Sequence, residues 1–208
     1  MLPESLSAAV PSVAGWRLAG LPRGLEPGQA RRLLSSCDRR STLGRRDFAI
    51  LTLLLRLGLR RGEAARLALG DVDWRAGEIV VHGKGGRLDR LPLPGDVGEA
   101  IVAYLQRGRP STGHRELFLR ALAPIGPLAG GGVSWIVRRA CRRAGTEEVG
   151  AHRLRHTAAC EMVAAGVPLP EIGEVLRHRS LASTALYARV DLDALRSVAV
   201  PWPGGDLR

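Results

Sequence analysis

One lysine stands among the cationic side chains of this sequence, and its chemistry differs from theirs. The chain has 31 Lys and Arg residues, and Lys84 is the single lysine. It lies in the glycine-rich segment HGKGGR, residues 82–87. An ammonium group can release and recover a proton, whereas a guanidinium stays protonated in proteins. This contrast favours a general-acid or nucleophilic role for Lys84; the alternative is an ordinary exposed cation in a turn.

A second candidate is the segment AHRLRH at residues 151–156. His152, Arg155 and His156 are spaced i, i+3 and i+4, so a helix would present them on one face. The two histidines have the spacing of a zinc pair, but Arg153 stands where a zincin motif has its glutamate, and the cations would repel a metal ion. A solvated basic face and a phosphate-binding cradle are both compatible with the pattern.

The segment GLRRGE, residues 58–63, places Glu63 three residues after Arg60. The carboxylate could orient the guanidinium in a bidentate pair. The alternative is an exposed i,i+3 pair, which contributes little to stability.

Two tyrosines are present, and their surroundings differ. Tyr104 lies among apolar residues, which indicates a packing role. Tyr187 follows His178 by nine residues in a segment with Ser183 and Thr184. The simplest interpretation of Tyr187 alone is a half-buried aromatic.

Taken in order, these segments resemble the catalytic domain of the tyrosine recombinases, the phage integrase family. The order is GLRxxE, a strand-GKGG-strand hairpin, HxLRH, LxH and a tyrosine nine residues later, over residues 45–190. The resemblance implies that Glu63 supports the first arginine. The family usually has glycine before the third basic position, where this chain has Arg177. The implied catalytic residues are Arg60, Lys84, His152, Arg155, His178 and Tyr187.

The resemblance also implies a reaction, the cutting and rejoining of DNA through a 3′-phosphotyrosine intermediate on Tyr187. Arg60 and Arg155 would hold the non-bridging oxygens of the phosphate, and Lys84 would protonate the departing 5′ oxygen. His152 and His178 are candidates for easing ionisation of the tyrosine. The guanidiniums would supply the charge that a metal pair would bring, so we expect no metal, other cofactor or ATP.

The implied partner is double-stranded DNA, with a homo-tetramer on DNA and a monomer without it. We expect further DNA contacts from four arginines beside the catalytic positions: Arg61, Arg87, Arg153 and Arg177. Two alternatives stay open, a type IB topoisomerase-like enzyme that relaxes DNA and a non-catalytic DNA-binding remnant of an integrase. A Walker-type nucleotide site at Lys84 is excluded, because no Ser or Thr follows the lysine and a strand is predicted after it.

The elements that would position these residues are mainly helical. Two strands are predicted at residues 78–82 and 88–93, joined by a turn at 83–86. The expected fold class is mainly α within the α+β class: a helical catalytic domain of tyrosine-recombinase type with a small β-hairpin or three-stranded sheet. Apolar periodicity predicts helices at residues 27–37, 45–57, 63–69, 97–107, 134–144, 151–165, 170–176, 183–189 and 192–198.

Composition narrows the choice of partner and compartment. A net charge of +11 favours a polyanion, most simply nucleic acid. Aromatic residues make up only 4%, which argues for phosphate contacts by arginine and against base stacking. The longest apolar run, residues 49–55, is far shorter than a membrane span, and neither a signal peptide nor a disulfide framework is evident. We therefore expect a cytoplasmic, nucleoid-associated protein without membrane contact.

The length of 208 residues suits one domain. Residues 1–25 are expected to form a tail or the remnant of a linker, residues 26–199 the catalytic domain, and residues 200–208 a frayed tail. The N-terminal core-binding domain that many family members carry is expected to be absent.

Overall fold

Seven helices and one small antiparallel sheet make up the part of the chain that the computed structural model describes, residues 24–83 and 85–178. The predicted fold class, mainly helical with a small sheet, is confirmed. A 3-10 turn, Leu69–Asp71, leads into the sheet. The elements in chain order are α1 Gln29–Ser35, α2 Thr42–Leu57, α3 Arg61–Arg66, β1 Val72–Asp73, β2 Glu78–His82, β3 Leu88–Pro92, α4 Gly95–Arg107, α5 Gly130–Arg143, α6 Ala151–Ala164 and α7 Leu169–Val175.

Helix α2 runs through the centre of the core, packed against α4 and α6. It begins where the Ser41 hydroxyl accepts a hydrogen bond from the backbone N–H of Gly44 at 3.0 Å, an ordinary N-cap. The apolar run at residues 49–55 is buried throughout, so this part of the helix is enclosed on all sides. The helix ends at Gly58, whose φ of 55° is the left-handed conformation that glycine adopts without steric cost.

The sheet has the strand order β1-β2-β3, all antiparallel. In the β2–β3 hairpin, His82 pairs with Leu88 and Glu78 with Pro92, so the connection between the strands lies between His82 and Leu88. Ile79 and Val81 of β2 are buried with Leu91 of β3, and this apolar face fixes the register. The predicted strands at 78–82 and 88–93 agree with the structure to within one residue.

Helix boundaries show where the sequence pattern was insufficient. Helix α5 begins at Gly130, four residues before the start of the helix predicted at 134–144. The helix predicted at 63–69 begins earlier, at Arg61, and ends at Arg66. The helices predicted at 183–189 and 192–198 lie outside the described residues, as does most of the predicted tail at 1–25 and all of the tail at 200–208.

Candidate active site

Arg60 stands at the start of α3 and is held there by Glu63. The backbone N–H of Arg60 donates to Oε2 of Glu63 at 2.8 Å, and Nη1 of Arg60 donates to Oε1 at 2.6 Å. The Glu63 side chain is only 3% exposed, whereas that of Arg60 is 45% exposed. A buried carboxylate therefore fixes both the backbone and the side chain of Arg60, and the alternative of an exposed i,i+3 pair is wrong. The contact uses one guanidinium nitrogen, so it is not bidentate.

Arg155 lies on α6 and reaches the ends of two other helices. Its Nη1 donates to the carbonyl of Gly58 at 2.6 Å, and its Nη2 donates to the carbonyl of Leu176. Both carbonyls stand at helix C-termini, after α2 and α7 respectively, where partial negative charge favours a cation. The residue is 2% exposed. Arg155 thus joins three helices at the point where the candidate residues meet.

The two histidines of α6 lie against each other. The ring centroids of His152 and His156 are 4.2 Å apart, with the ring planes at 70°. His152 is the more exposed of the two side chains, and His156 is partly buried. The structure thus agrees with the prediction that His152, Arg155 and His156 share one face of this helix.

Arg177 and His178 follow the C-terminal end of α7. The Arg177 side chain is 3% exposed, and its Nη2 donates to Oε2 of Glu63 at 2.9 Å. The predicted contact of Arg177 with DNA stays a prediction; in this structure the guanidinium is enclosed beside a carboxylate. The physical reason is the backbone: the turn at Arg177 directs the side chain inward to Glu63.

Two adjoining cavities bring the candidate residues together, and Arg60 lines both. The first has a volume of about 350 Å³ and is lined by Arg60, His152 and Arg155. The second has a volume of about 710 Å³ and extends from Arg60 to the β2–β3 turn. Its wall includes Glu63, Arg87, Arg177 and the two glycines that flank Lys84, Gly83 and Gly85.

The remaining predicted residues have varied positions. Arg61 and Arg87 are exposed at the cavity walls, where Arg87 donates from Nε to Asp89 at 2.7 Å. Arg153 is partly buried on α6. Lys84 and Tyr187 lie outside the described residues, so their roles stay predictions.

Burial and positive charge together shape the titration of the histidines. Burial, reinforced by the charges of Arg155 and Arg60, lowers the pKa of His178 to about 4. Burial, with His152 and Arg155 nearby, lowers the pKa of His156 to about 4. The pKa of His152 is lowered by burial and by the same two arginines. At neutral pH these imidazoles are therefore uncharged and can act as proton acceptors.

Glu63 is charged despite its burial. Burial by itself would raise the pKa of this carboxyl group, but the charge of Arg177 and the hydrogen bonds and charge of Arg60 outweigh it, and the pKa lies below its ordinary value. One carboxylate thus serves two guanidiniums.

The backbone contribution to the site was not predicted from the sequence. The carbonyls of Gly58, Leu176 and Arg177 accept hydrogen bonds from Arg155 and Arg60. The sequence carries one indirect signal for this arrangement, the helix ends at Gly58 and before Arg177. Side-chain types alone cannot show which carbonyls face a guanidinium.

Residues 24–83 and 85–178 contain neither a cluster of metal-ligating side chains nor a membrane-spanning helix. No three His, Cys, Asp or Glu side chains there are grouped closely enough to hold a metal ion. Over the same residues, no helix combines the length and apolar character needed to cross a membrane.

Comparison with known proteins gives a consistent result. The family model described as "Phage integrase family" matches residues 23–193. The protein named "Putative integrase/recombinase y4rA" from Sinorhizobium fredii is 52% identical over 204 residues, which cover 97% of this chain and 50% of that protein. Tyrosine recombinase XerC from Bacillus licheniformis is 33% identical over 186 residues, covering 85% of this chain and 60% of its own length. The chain thus spans about half the length of the y4rA relative.

Solved structures share the fold. The crystal structure of XerA recombinase superimposes with a TM-score of 0.73 at 27% identity, covering 86% of this chain and 64% of the other. The XerH site-specific recombinase, in a post-cleavage complex with its palindromic difH substrate, gives a TM-score of 0.74 at 24% identity, covering 88% of this chain and 54% of the other.

Proposed function

This chain belongs to the phage integrase family, and on that premise we propose that it cuts and rejoins DNA at specific sites through a 3′-phosphotyrosine intermediate. The observation that carries the proposal is the convergence of Arg60, His152 and Arg155 on one cavity, next to a second cavity that reaches the glycines flanking Lys84. The relatives described above are named as integrases or recombinases, which gives no support to the topoisomerase and non-catalytic alternatives.

The chemical step is an in-line transesterification. The Tyr187 oxygen forms a bond to phosphorus, and the bond from phosphorus to the 5′ oxygen breaks. Ionising a tyrosine with an ordinary pKa costs about 4 kcal/mol at pH 7. His178 is uncharged at that pH and is our candidate to accept the phenolic proton, while Lys84 donates a proton to the departing 5′ oxygen.

The two arginines provide the electrostatic part of catalysis. Negative charge grows on the non-bridging oxygens as the phosphate is attacked, and guanidinium N–H groups match those oxygens in pairs. Arg60 and Arg155 are held by a buried carboxylate and by carbonyls, so they need little reorganisation. Removing such a preorganised donor typically slows a reaction by roughly 10²–10³-fold. We propose that the two guanidiniums make a metal ion, another cofactor or ATP unnecessary.

The substrate that fits this chemistry is double-stranded DNA. The XerH relative is described in complex with its difH substrate. We propose that residues 26–199 form the catalytic domain, that four copies assemble on two duplexes to exchange strands, and that the protein acts at the bacterial nucleoid. Arg61, Arg87 and Arg153 are the proposed phosphate contacts outside the catalytic group.

The test begins by finding the DNA site through the covalent step itself. The chain is incubated with sheared DNA from its source organism, washed in denaturing detergent, and the DNA still attached is sequenced. Wild type should retain a small set of sequences, and Tyr187→Phe should retain none, because phenylalanine has no oxygen to attack the phosphate. Equal retention by the two proteins, or none by either, contradicts the proposal.

The captured sequence is then rebuilt as a nicked duplex, from which the short leaving strand diffuses away and the adduct accumulates. Lys84→Arg should form this adduct slowly on ordinary DNA. It should recover when sulfur replaces the leaving 5′ oxygen, because a thiolate leaves without a proton. If Lys84→Arg matches wild type on ordinary DNA, the general-acid role of Lys84 is wrong.

A further inference from the structure

Arg177 occupies a backbone conformation that ordinarily belongs to glycine. Its φ is 54°, and among the described residues it is the one non-glycine residue with positive φ. The N–H of Arg177 donates to Glu174 at 2.9 Å and the N–H of His178 to Gly173 at 2.9 Å, the bond pattern of a Schellman motif that ends α7. Glycine fits this position without a Cβ penalty. An arginine there is strained, and such strain points to a functional demand on the side chain.

The side chain meets that demand by bridging two helices. Nη2 of Arg177 donates to Oε2 of Glu63 on α3 at 2.9 Å, and Nη1 donates to the carbonyl of Val175 on its own helix at 2.7 Å. The bridge is buried, with both partners 3% exposed. The Nε atom is also buried and has no hydrogen-bond partner among the described residues. This buried Nε is a second energetic cost of the arginine, in addition to the backbone strain, and a glycine would avoid both.

The turn fixed by this bridge carries the acceptors for both candidate catalytic arginines. The carbonyl of Leu176 accepts from Nη2 of Arg155, and the carbonyl of Arg177 accepts from Nη2 of Arg60 at 3.2 Å. His178 follows directly. A shift of this turn relative to α3 would therefore move the supports of two guanidiniums and one imidazole at once.

The charge of Arg177 acts in the same place. Glu63 contacts Arg60 and Arg177 together, so one negative charge faces two positive charges. With a glycine at position 177, the Arg60–Glu63 pair would be neutral overall, whereas with arginine the group keeps one net positive charge. That excess charge stands beside the guanidinium that must attract a phosphate.

On the premise of the proposed function, we propose that Arg177 is a positioning residue: its ion pair with Glu63 locks the C-terminal turn of α7 against α3, so that the turn holds Arg60, Arg155 and His178 in register for the phosphate. It is not itself in contact with DNA. A role in stability alone does not account for the arginine, since glycine would end the helix without backbone strain.

The test compares three variants on the nicked duplex, with melting temperature, DNA dissociation constant and single-turnover adduct rate measured separately. Arg177→Gly removes the ion pair with Glu63 and also removes the backbone strain at position 177. These two changes have opposite effects on the free energy of unfolding, so the melting temperature should lie within about 5 °C of wild type. The variant should bind DNA within about 3-fold of wild type and form the adduct at least about 10-fold more slowly, as expected for small misplacement of catalytic groups.

The other two variants separate charge from shape. Arg177→Met keeps much of the side-chain volume without the charge and should be as slow as Arg177→Gly. Arg177→Lys can still pair with Glu63 and should recover part of the rate. In a Glu63→Gln background, Arg177→Met should add little further loss, because the pair is already broken.

A matched control removes an exposed cation. Arg142 lies on α5, is 57% exposed and pairs with Glu148 at 3.0 Å. Arg142→Met changes the net charge equally and should leave the adduct rate unchanged. The proposal is overturned if Arg177→Gly forms adduct at the wild-type rate. It is also overturned if weaker DNA binding or partial unfolding of the variant accounts for the whole fall in adduct rate.

A readout without DNA separates this proposal from the proposed function. Nitrogen-15 spectra of the guanidinium groups should show hindered rotation for Arg155 in wild type and faster averaging in Arg177→Gly. If wild type forms no adduct but this difference appears, the proposed function fails and the positioning role stands. If the Arg155 signals are the same in both proteins, the positioning role fails.

Discussion

Each histidine near the candidate site faces an environment that keeps its ring neutral. His178 and His156 have a pKa of about 4, with burial as the main cause and the charge of Arg155 as a contributor to both. The cations that would hold a phosphate thus also keep the adjacent imidazoles uncharged at neutral pH. The neutral state of these rings therefore depends on burial together with the same guanidinium charges that would hold a phosphate.

This coupling predicts a pH dependence of stability. In the unfolded chain a histidine titrates near 6.5, so between about pH 6.5 and 4 the unfolded state binds more protons than the folded state. The free energy of unfolding should therefore be level above pH 7 and fall as the pH drops through that window. Both rings are only partly buried, so solvent screening should limit the joint loss to about 1–2 kcal/mol.

Urea unfolding at pH 7.5 and pH 5.0 measures that loss. The variant carrying both His156→Gln and His178→Gln should lose clearly less stability between the two pH values than wild type, because glutamine does not titrate. His82, on β2, contacts Asp71 at 2.8 Å, and His82→Gln is a comparison outside the cluster. An unchanged pH dependence in the double variant would contradict this account.

The C-terminal ends of two helices, α2 and α7, meet at the candidate site. The end of α2 at Gly58 and the end of α7 at Leu176 both lie against Arg155. A Cβ at Gly58 would stand 2.5 Å from Cδ2 of Leu176 and 3.5 Å from Cβ of Ala158. The φ of 55° and the close approach both require glycine here. The two helix ends can therefore meet only because this residue has no side chain.

Gly58→Ala should consequently destabilise the protein and disturb the site together. The left-handed conformation costs about 1–2 kcal/mol for a residue with Cβ, and the contact with Leu176 adds to that cost. Gly77→Ala is a matched control, since Gly77 has a φ of 67° and nothing within 4 Å of the added Cβ. Thermal melting should drop further for Gly58→Ala than for Gly77→Ala, and only Gly58→Ala should slow adduct formation. Equal effects of the two variants would show that the close approach of Gly58 to Leu176 does not contribute.

Elements with a clear apolar period were predictable, and those decided by packing were not. The β2–β3 hairpin follows from the alternation at Ile79 and Val81 with glycines after it. Helix α5 begins at Gly130 although three glycines disfavour a helix, because its buried residues Val133 and Ile136 pack into the core. Strand β1 has only two residues, too few for a period.

The candidate site also combines residues whose placement the sequence predicted with residues whose placement depends on tertiary contacts. The spacing of His152, Arg155 and His156 placed them correctly on one helix face, since that inference needs only the helical repeat. The sequence could not show that Arg177 turns inward, because an arginine beside a candidate site is equally compatible with DNA and with a buried carboxylate. The backbone turn after α7 decides between the two, and it depends on tertiary contact with Glu63.

On the scale of the whole molecule, net charge should govern the first encounter with the DNA partner proposed above. The chain carries a net charge of +11, while Glu63, the acid closest to the candidate arginines, is buried and already paired. Cations therefore dominate what this region presents to a duplex. Binding through phosphates is expected to be largely independent of sequence and sensitive to salt, because each neutralised phosphate releases condensed counterions.

The salt dependence of binding should accordingly be steep. If Arg60, Arg61, Arg87 and Arg153 each neutralise one phosphate, the slope of log K against log salt is about −3 to −4, a loss of roughly 10²-fold between 50 and 200 mM. Fluorescence anisotropy with a labelled 30-base-pair duplex of arbitrary sequence measures this slope. A slope shallower than about −2 would contradict phosphate binding by this group.

Single variants then distinguish cations that touch DNA from those that do not. Arg87→Gln should make the slope less steep by about 1, because Arg87 is exposed at the cavity wall. Arg177→Gln removes the same single charge but should leave the slope unchanged, because that guanidinium is enclosed beside Glu63. Equal changes in slope for the two variants would return Arg177 to the DNA-binding group, since counterion release counts only the charges that meet a phosphate.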